Sequence, residues 1–226
     1  MGALIIDSSN PQAWADGLGV ALEALRSGKS IIMPTDTVYG IACDAFSPDA
    51  VTALLAHKGR GRHMPPPVLV ASVEDATRLA VSIPPVVHDL MGAFWPGGVT
   101  IIVEASPDVE WDLGDTEGTV AIRMPDHAVA LELLRASGPL AVSSANLTGQ
   151  HSSVTAREAY EQFGDELEVY IDAGPVGQAY SRAPGNPGST IVDATALSSG
   201  GPWRVVRHGV VPWEDLRDVV GGEWEQ

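Results

Sequence analysis

Short apolar runs alternate with helix-period segments along almost the whole chain, and this alternation constrains the fold more than any single motif. Asn10-Pro11 reads as a helix cap followed by proline at the first helical position. Trp14, Leu18, Ala21, Leu22 and Leu25 then repeat at helical spacing until Gly28 stops the helix. Ser30 to Met33 is a short buried strand ended by Pro34, and Val38 to Cys43 is a second. Ser47-Pro48 starts another helix, carrying Val51, Leu54 and Leu55, which delivers Lys58 and Arg60 near its C-terminal end. Further strands are predicted over Val68 to Ala71, Val99 to Glu104, Thr119 to Met124, Leu140 to Ser144, Val169 to Ala173, Ser189 to Asp193 and Trp203 to Arg207. Capping boxes at Ser72-Val-Glu-Asp75 and Thr155-Ala-Arg-Glu158 start two helices. Others are predicted over Pro84 to Phe94, from an Asp126 cap through Leu134, and after Pro212. Strands interleaved with helices predict one α/β domain over residues 1–226 with a mixed, partly parallel sheet. Its core spans about residues 10–209, followed by a short C-terminal tail. Gly174 to Gly188 is rich in Gly and Pro without periodicity, which predicts a mobile or functional loop.

Charge narrows the partners. Twenty-nine Asp and Glu against thirteen Lys and Arg give a net charge of −16, which argues against an extended RNA-binding face. Apolar runs such as Val99 to Val103 are too short to span a bilayer, and the N-terminus lacks the basic start and cleavage site of a signal peptide. The single Cys43 excludes an internal disulfide, so a cytoplasmic location is expected. Against this background, Lys58-Gly-Arg60-Gly-Arg62-His63 places three of the thirteen cations within five positions. That knot suggests a local pocket for one anionic ligand. On an extended segment Lys58 and Arg60 face the same way, a point charge beside a bidentate fork, which suits a triphosphate. A helix C-terminus decorated with cations that complement its dipole accounts for the same residues equally well. Arg62 and His63 are read as more peripheral.

Three polar stretches interrupt the apolar pattern. Thr35-Asp-Thr37-Val-Tyr-Gly40 is either a turn held by local backbone bonds or a rim of donors and acceptors for a zwitterion. Arg123 ends the strand Thr119-Val-Ala-Ile-Arg123; it either snorkels to the surface or, the favoured reading, binds a carboxylate in a cleft. Ser143-Ser144-Ala145-Asn146 ends a strand with small residues that admit a ligand close to the backbone, plus hydroxyl and amide groups to contact it. No Gly-x-Ser-x-Gly elbow frames these serines, so a serine nucleophile is not expected. Ser189-Thr190 is placed to close over the same ligand. No His/Cys cluster has metal-ligand spacing, so no protein metal site is expected. There is neither a Walker A loop nor a Gly-x-Gly-x-x-Gly motif, so nucleotide binding would follow a less common design.

In order, PTDTVYG (34–40), KGR (58–60), FWPG (94–97), TVAIRMP (119–125), SSAN (143–146), STIVD (189–193) and VVRHG (205–209) resemble the YrdC-like family, the threonylcarbamoyl-AMP synthases of tRNA modification, in its single-domain form. The resemblance implies a twisted mixed α/β sheet flanked by helices around a deep, positively charged cavity. It implies a reaction that joins L-threonine, bicarbonate and ATP, with Mg²⁺ on the phosphates, into threonylcarbamoyl-adenylate and pyrophosphate. A separate transferase would then modify tRNA, whose binding to this chain would be weak or indirect, and no membrane is involved. Carried over by position, Lys58 and Arg60 would hold the ATP phosphates and catalyse. Thr37, Arg123, Ser143 and Ser189 would contact threonine beside Tyr39. Thr119, Ala145, Asn146, Ser153 and Arg207 would contact the nucleotide. The chain departs from the family's pattern at Gly61 to Pro67, where Met64 replaces the usual Asn and the His that commonly ends the next strand is missing. Two other readings are an RNA-binding or ribosome-maturation module and a related carbamoyl-transfer enzyme.

Overall fold

The computed structural model describes residues 2–180, 186–221 and 224–225. Strand β1 (Leu4–Asp7) leads into helix α1 (Pro11–Arg26), which opens where Asn10 Oδ1 accepts the N–H groups of Gln12 and Ala13. Then follow β2 (Ile31–Met33), β3 (Gly40–Asp44), α2 (Pro48–His57), β4 (Val68–Leu69), α3 (Val73–Leu79) and α4 (Pro85–Phe94). The chain continues through β5 (Val99–Glu104), β6 (Thr119–Arg123), α5 (Ala128–Ser137), β7 (Leu140–Ser144), α6 (Ala156–Phe163), β8 (Val169–Asp172), β9 (Thr190–Asp193), β10 (Trp203–Arg207), α7 (Trp213–Val220) and β11 (Trp224–Glu225).

Among the described residues these strands form one mixed sheet in the order β1-β8-β2-β3-β7-β4-β6-β5-β9-β10-β11. Period-two alternation divides its side chains between two layers. Ile32, Ile41, Ala141 and Tyr170 join the core under α2, α3, α4, α6 and α7. Their sequence neighbours Ile31, Met33, Ala42, Val142, Val169 and Ile171 point the other way, into the core under α1 and α5.

The structure corrects several sequence expectations. Strand β1 lies outside the expected core of residues 10–209, yet it pairs in parallel with β8, from Leu4↔Val169 to Asp7↔Asp172. Only Ile6 of its four residues is buried, so it carries no alternation to read. Helix α1 approaches it closely at Gly17, where a Cβ would collide with Ile6. The strand expected from Val38 begins at Gly40, because Thr35 Oγ1 holds the preceding residues in a turn, donating to Val38 O at 2.6 Å and accepting the N–H of Thr37 and Val38. Asp126 does not cap α5. His127 occupies that position, and the Asp126 N–H goes to Asp36 Oδ1 at 3.1 Å. In the 174–188 segment, residues 181–185 lie outside those described.

Candidate active site

Under α1 and α5 the second face of the sheet is apolar. Over β5, β6, β9 and β10 the same face floors a cavity of about 350 Å³. Register carries the polar positions there: Leu69 of β4 pairs with Arg123, Ile102 with Ala121, and Thr100 with Ile191. Between Val205 and Arg207 the β9–β10 register slips by one residue, a bulge that leaves both Val206 and Arg207 lining the cavity. The walls come from loops at strand ends. Thr37 stands on the turn after β2, and Ser143 and Ser144 end β7. Met64 to Pro67 form an apolar side, and Leu113 and Thr116 arrive from the β5–β6 connection. Exposed Arg62 clamps that connection, binding Asp112 through both terminal nitrogens at 2.7 and 3.1 Å.

Among the described residues three guanidinium groups converge on the cavity, and no carboxylate lines it. Arg60 follows α2 across Gly59, which turns the chain at φ +61°. It donates to Ser143 Oγ at 3.1 Å, while its buried Nε has no partner. Burial holds its pKa below the usual arginine range. Arg207 donates to Ser189 O from Nε and Nη2 at 3.0 and 2.8 Å, and to Ser189 Oγ at 3.1 Å. Ser189 Oγ also lies 2.6 Å from Thr100 Oγ1. Burial first, then the charges of Arg123 and Arg60, lower the Arg207 pKa to about 10. Arg123 differs from both. It donates from Nε to Gly97 O at 2.9 Å, from Nη1 to Thr37 Oγ1 at 3.0 Å, and from Nη2 to Asp36 Oδ1 at 2.5 Å. One carboxylate among three guanidiniums leaves the cavity strongly electropositive within an acidic molecule, the arrangement that concentrates an anion.

Of the residues singled out in the sequence, Thr37, Tyr39, Arg60, Thr119, Arg123, Ser143, Ser189 and Arg207 line this one cavity. Tyr39 turns its hydroxyl away, donating to Gly174 O at 2.8 Å. Lys58, Ala145, Asn146 and Ser153 are brought together behind the Ser143–Ser144 wall and not into the cavity. Lys58 is fully buried as the C-cap of α2, so of the two readings of this pair the helix C-terminus holds for Lys58 and the extended segment does not. Its Nζ donates to Ser144 O, to Asn146 O at 2.5 Å and to Asn146 Oδ1 at 3.3 Å. Burial first, then Arg60, lowers its pKa to about 7. The Ala145 N–H, expected to face a nucleotide, is taken by Tyr39 O at 2.7 Å, and Ala145 O accepts from Ser153 Oγ at 2.5 Å. Asn146 Nδ2 donates to Leu147 O and Gln150 O. These four residues hold the wall in shape.

Two residues escaped the sequence reading. Thr100 interrupts an apolar strand as Arg123 does, so the same signal was present. Asp36 sits inside the PTDTVYG motif, but only the fold places it behind Arg123.

The Sua5/YciO/YrdC family model, described as telomere recombination, matches residues 23–209. A Mycobacterium tuberculosis protein provisionally named threonylcarbamoyl-AMP synthase is 47% identical over 215 residues, covering 95% of this chain and 94% of the relative. The Mus musculus threonylcarbamoyl-AMP synthase is 36% identical over 208 residues, 90% of this chain and 71% of its own. The crystal structure of P. abyssi Sua5 complexed with L-threonine superposes with a TM-score of 0.85 at 31% identity, covering 98% of this chain and 62% of that one. Motif order, fold and relatives agree: the chain belongs to the Sua5/YciO/YrdC family.

Proposed function

We propose that this protein is a threonylcarbamoyl-AMP synthase, converting L-threonine, bicarbonate and ATP into threonylcarbamoyl-adenylate and pyrophosphate. The observation that carries the reading is one cavity lined, among the described residues, by three guanidiniums and no carboxylate, in a chain of net charge −16. Two of those groups, Arg60 and Arg207, have hydroxyl or carbonyl partners only among the described residues, and suit a polyphosphate. The third, Arg123, stands beside the Thr37 hydroxyl and suits the carboxylate of a small amino acid. The names of the relatives and the threonine bound to P. abyssi Sua5 support the same assignment.

In this reading bicarbonate loses hydroxide to give CO₂, the threonine amine bonds to its carbon, and the proton released from nitrogen joins that hydroxide as water. The resulting carboxylate oxygen attacks the α-phosphorus, and the bond to pyrophosphate breaks. No protein nucleophile is required. The residues align the reactants and neutralise charge on the leaving group. Thr119 and Arg207 take the nucleotide side, and Thr37, Ser143 and Ser189 the amino-acid side. Lys58, Ala145, Asn146 and Ser153 act from behind, through the wall they brace. Magnesium enters as counterion of ATP. Among the described residues no cluster of three His, Cys, Asp or Glu is placed to hold a metal, and the cavity offers hydroxyls. The whole chain acts as one catalytic domain in the cytoplasm, handing its product to a separate tRNA-modifying transferase. Among the described residues no helix is long and apolar enough to cross a membrane.

Pyrophosphate release from ATP tests the reading. It is expected to require both L-threonine and bicarbonate. Release without threonine, or equal release with other amino acids, would overturn it.

A further inference from the structure

We propose that Asp36 is a positioning residue that reserves Arg123 for an amino-acid carboxylate and keeps it from the phosphates; this rests on the threonine and ATP assignments above. An arginine has five N–H groups. Arg123 spends one on Gly97 O, one on Thr37 Oγ1 and one on Asp36 Oδ1. Among the described residues that leaves one N–H on each terminal nitrogen unused, enough for a carboxylate to accept from both. Asp36 and Arg123 form an ion pair whose side chains are each 7% exposed, so the carboxylate stands behind the guanidinium and not in the cavity.

Asp36 is itself fixed from several directions. It stands on the Thr35–Thr37 turn, and its Oδ1 also accepts the Asp126 N–H at 3.1 Å. The Tyr180 hydroxyl reaches its Oδ2 at 3.3 Å. The carboxylate thereby ties the turn after β2 to the end of β6, to the start of the β6–α5 connection and to residue 180. Such bracing exceeds what a surface ion pair needs, and it fixes the plane of the guanidinium.

Charge separates the three arginines further. Among the described residues Arg60 and Arg207 reach only hydroxyl or carbonyl acceptors, whereas Arg123 is neutralised where it stands. A highly charged triphosphate is drawn to the two uncompensated groups. A singly charged carboxylate can use the paired one, whose free N–H groups it meets with little competition. Removing the Asp36 charge would turn Arg123 into a third uncompensated cation and erase that sorting.

The test is calorimetric titration of the full-length protein with L-threonine and, separately, with ATP. Asp36→Asn keeps the side chain's shape and removes its charge. Threonine affinity is expected to fall at least about tenfold while ATP affinity stays constant or rises, a split that general damage to the fold would not produce. In an Arg123→Ala background, Asp36→Asn is expected to change threonine affinity no further. Should Asp36→Asn fail to fold, Tyr180→Phe removes one bond to the carboxylate without changing charge. It is expected to weaken threonine severalfold and leave ATP alone. Unchanged threonine affinity, parallel loss of both ligands, or additivity with Arg123→Ala would overturn the inference while leaving the proposed reaction standing. A native protein that binds no threonine would overturn both.

Discussion

One face of one sheet does two jobs, and Leu69 and Val142 serve both. Beneath α1 and α5 its inward positions are Ile31, Met33, Ala42, Val169 and Ile171; beyond β7 polar Thr100, Thr119, Arg123 and Arg207 join apolar Ile102, Ala121 and Ile191. The opposite face is mostly apolar, with Ile32 and Tyr170 at one end and Val120, Ile122 and Val192 at the other. Strand geometry is common to both regions, so the difference lies in side-chain chemistry on a single phase of the alternation. The lesson is that a binding floor can replace a helix-covered core while the layer on the other side supplies the stability.

That comparison breaks if the covered half does not carry stability. Leu133 of α5 is fully buried against this face. Leu133→Ala is expected to lower unfolding free energy by about 2–5 kcal/mol, measured by denaturant titration, with the apparent KM for threonine and ATP unchanged. A variant as stable as the native chain would mean that α5 contributes little. The open half is expected to respond with the opposite sign. Arg60 is half-buried among like charges and its Nε is unpartnered. Arg60→Met is therefore expected to leave thermal stability unchanged or raised, while pyrophosphate release drops at least about 100-fold. Near-native turnover would remove Arg60 from charge stabilisation, and a large fall in melting temperature would erase the contrast between the two halves.

How much of this was legible in the sequence follows from the same boundary. The covered half was readable because Trp14, Ala21 and Leu25 repeat at helical spacing and Ile31 to Met33 form an unbroken apolar run. Arg123 was readable because a charge in an apolar strand contradicts its neighbours, and Thr100 carried a weaker version of that signal. Thr37, Ser143 and Ser189 stood out as polar residues at strand ends, but a hydroxyl there also has a local explanation, so their roles, and Arg207 altogether, came from ordered resemblance. Strand order was not legible, because pairing such as β4 between β7 and β6 is decided by contacts between distant segments. Nor was the reach of Lys58. Sequence places a cation near a helix end, but whether its amine enters the cavity or passes behind the wall depends on where the loop at Ser144 to Asn146 falls.

Lys58 sharpens the comparison last, because it belongs to neither half. Its ammonium is buried without a carboxylate partner and faces oxygens of Ser144 and Asn146. Its pKa lies near 7 in the folded protein, against an ordinary 10.5. Between those values Lys58 binds its proton in the unfolded chain and not in the folded one, so its contribution to stability rises with pH across that window, by at most about 1.4 kcal/mol per unit. Below pH 7 both states are protonated and the full cost of burying the charge remains. Lys58→Met lacks this titration. Its stability, followed by urea denaturation from pH 6 to 9, is expected to run parallel to that of the native chain below about pH 7 and to fall progressively behind above it. Parallel curves throughout would mean that the surrounding oxygens outweigh burial, so that Lys58 keeps its charge and holds the wall as a cation at every pH tested.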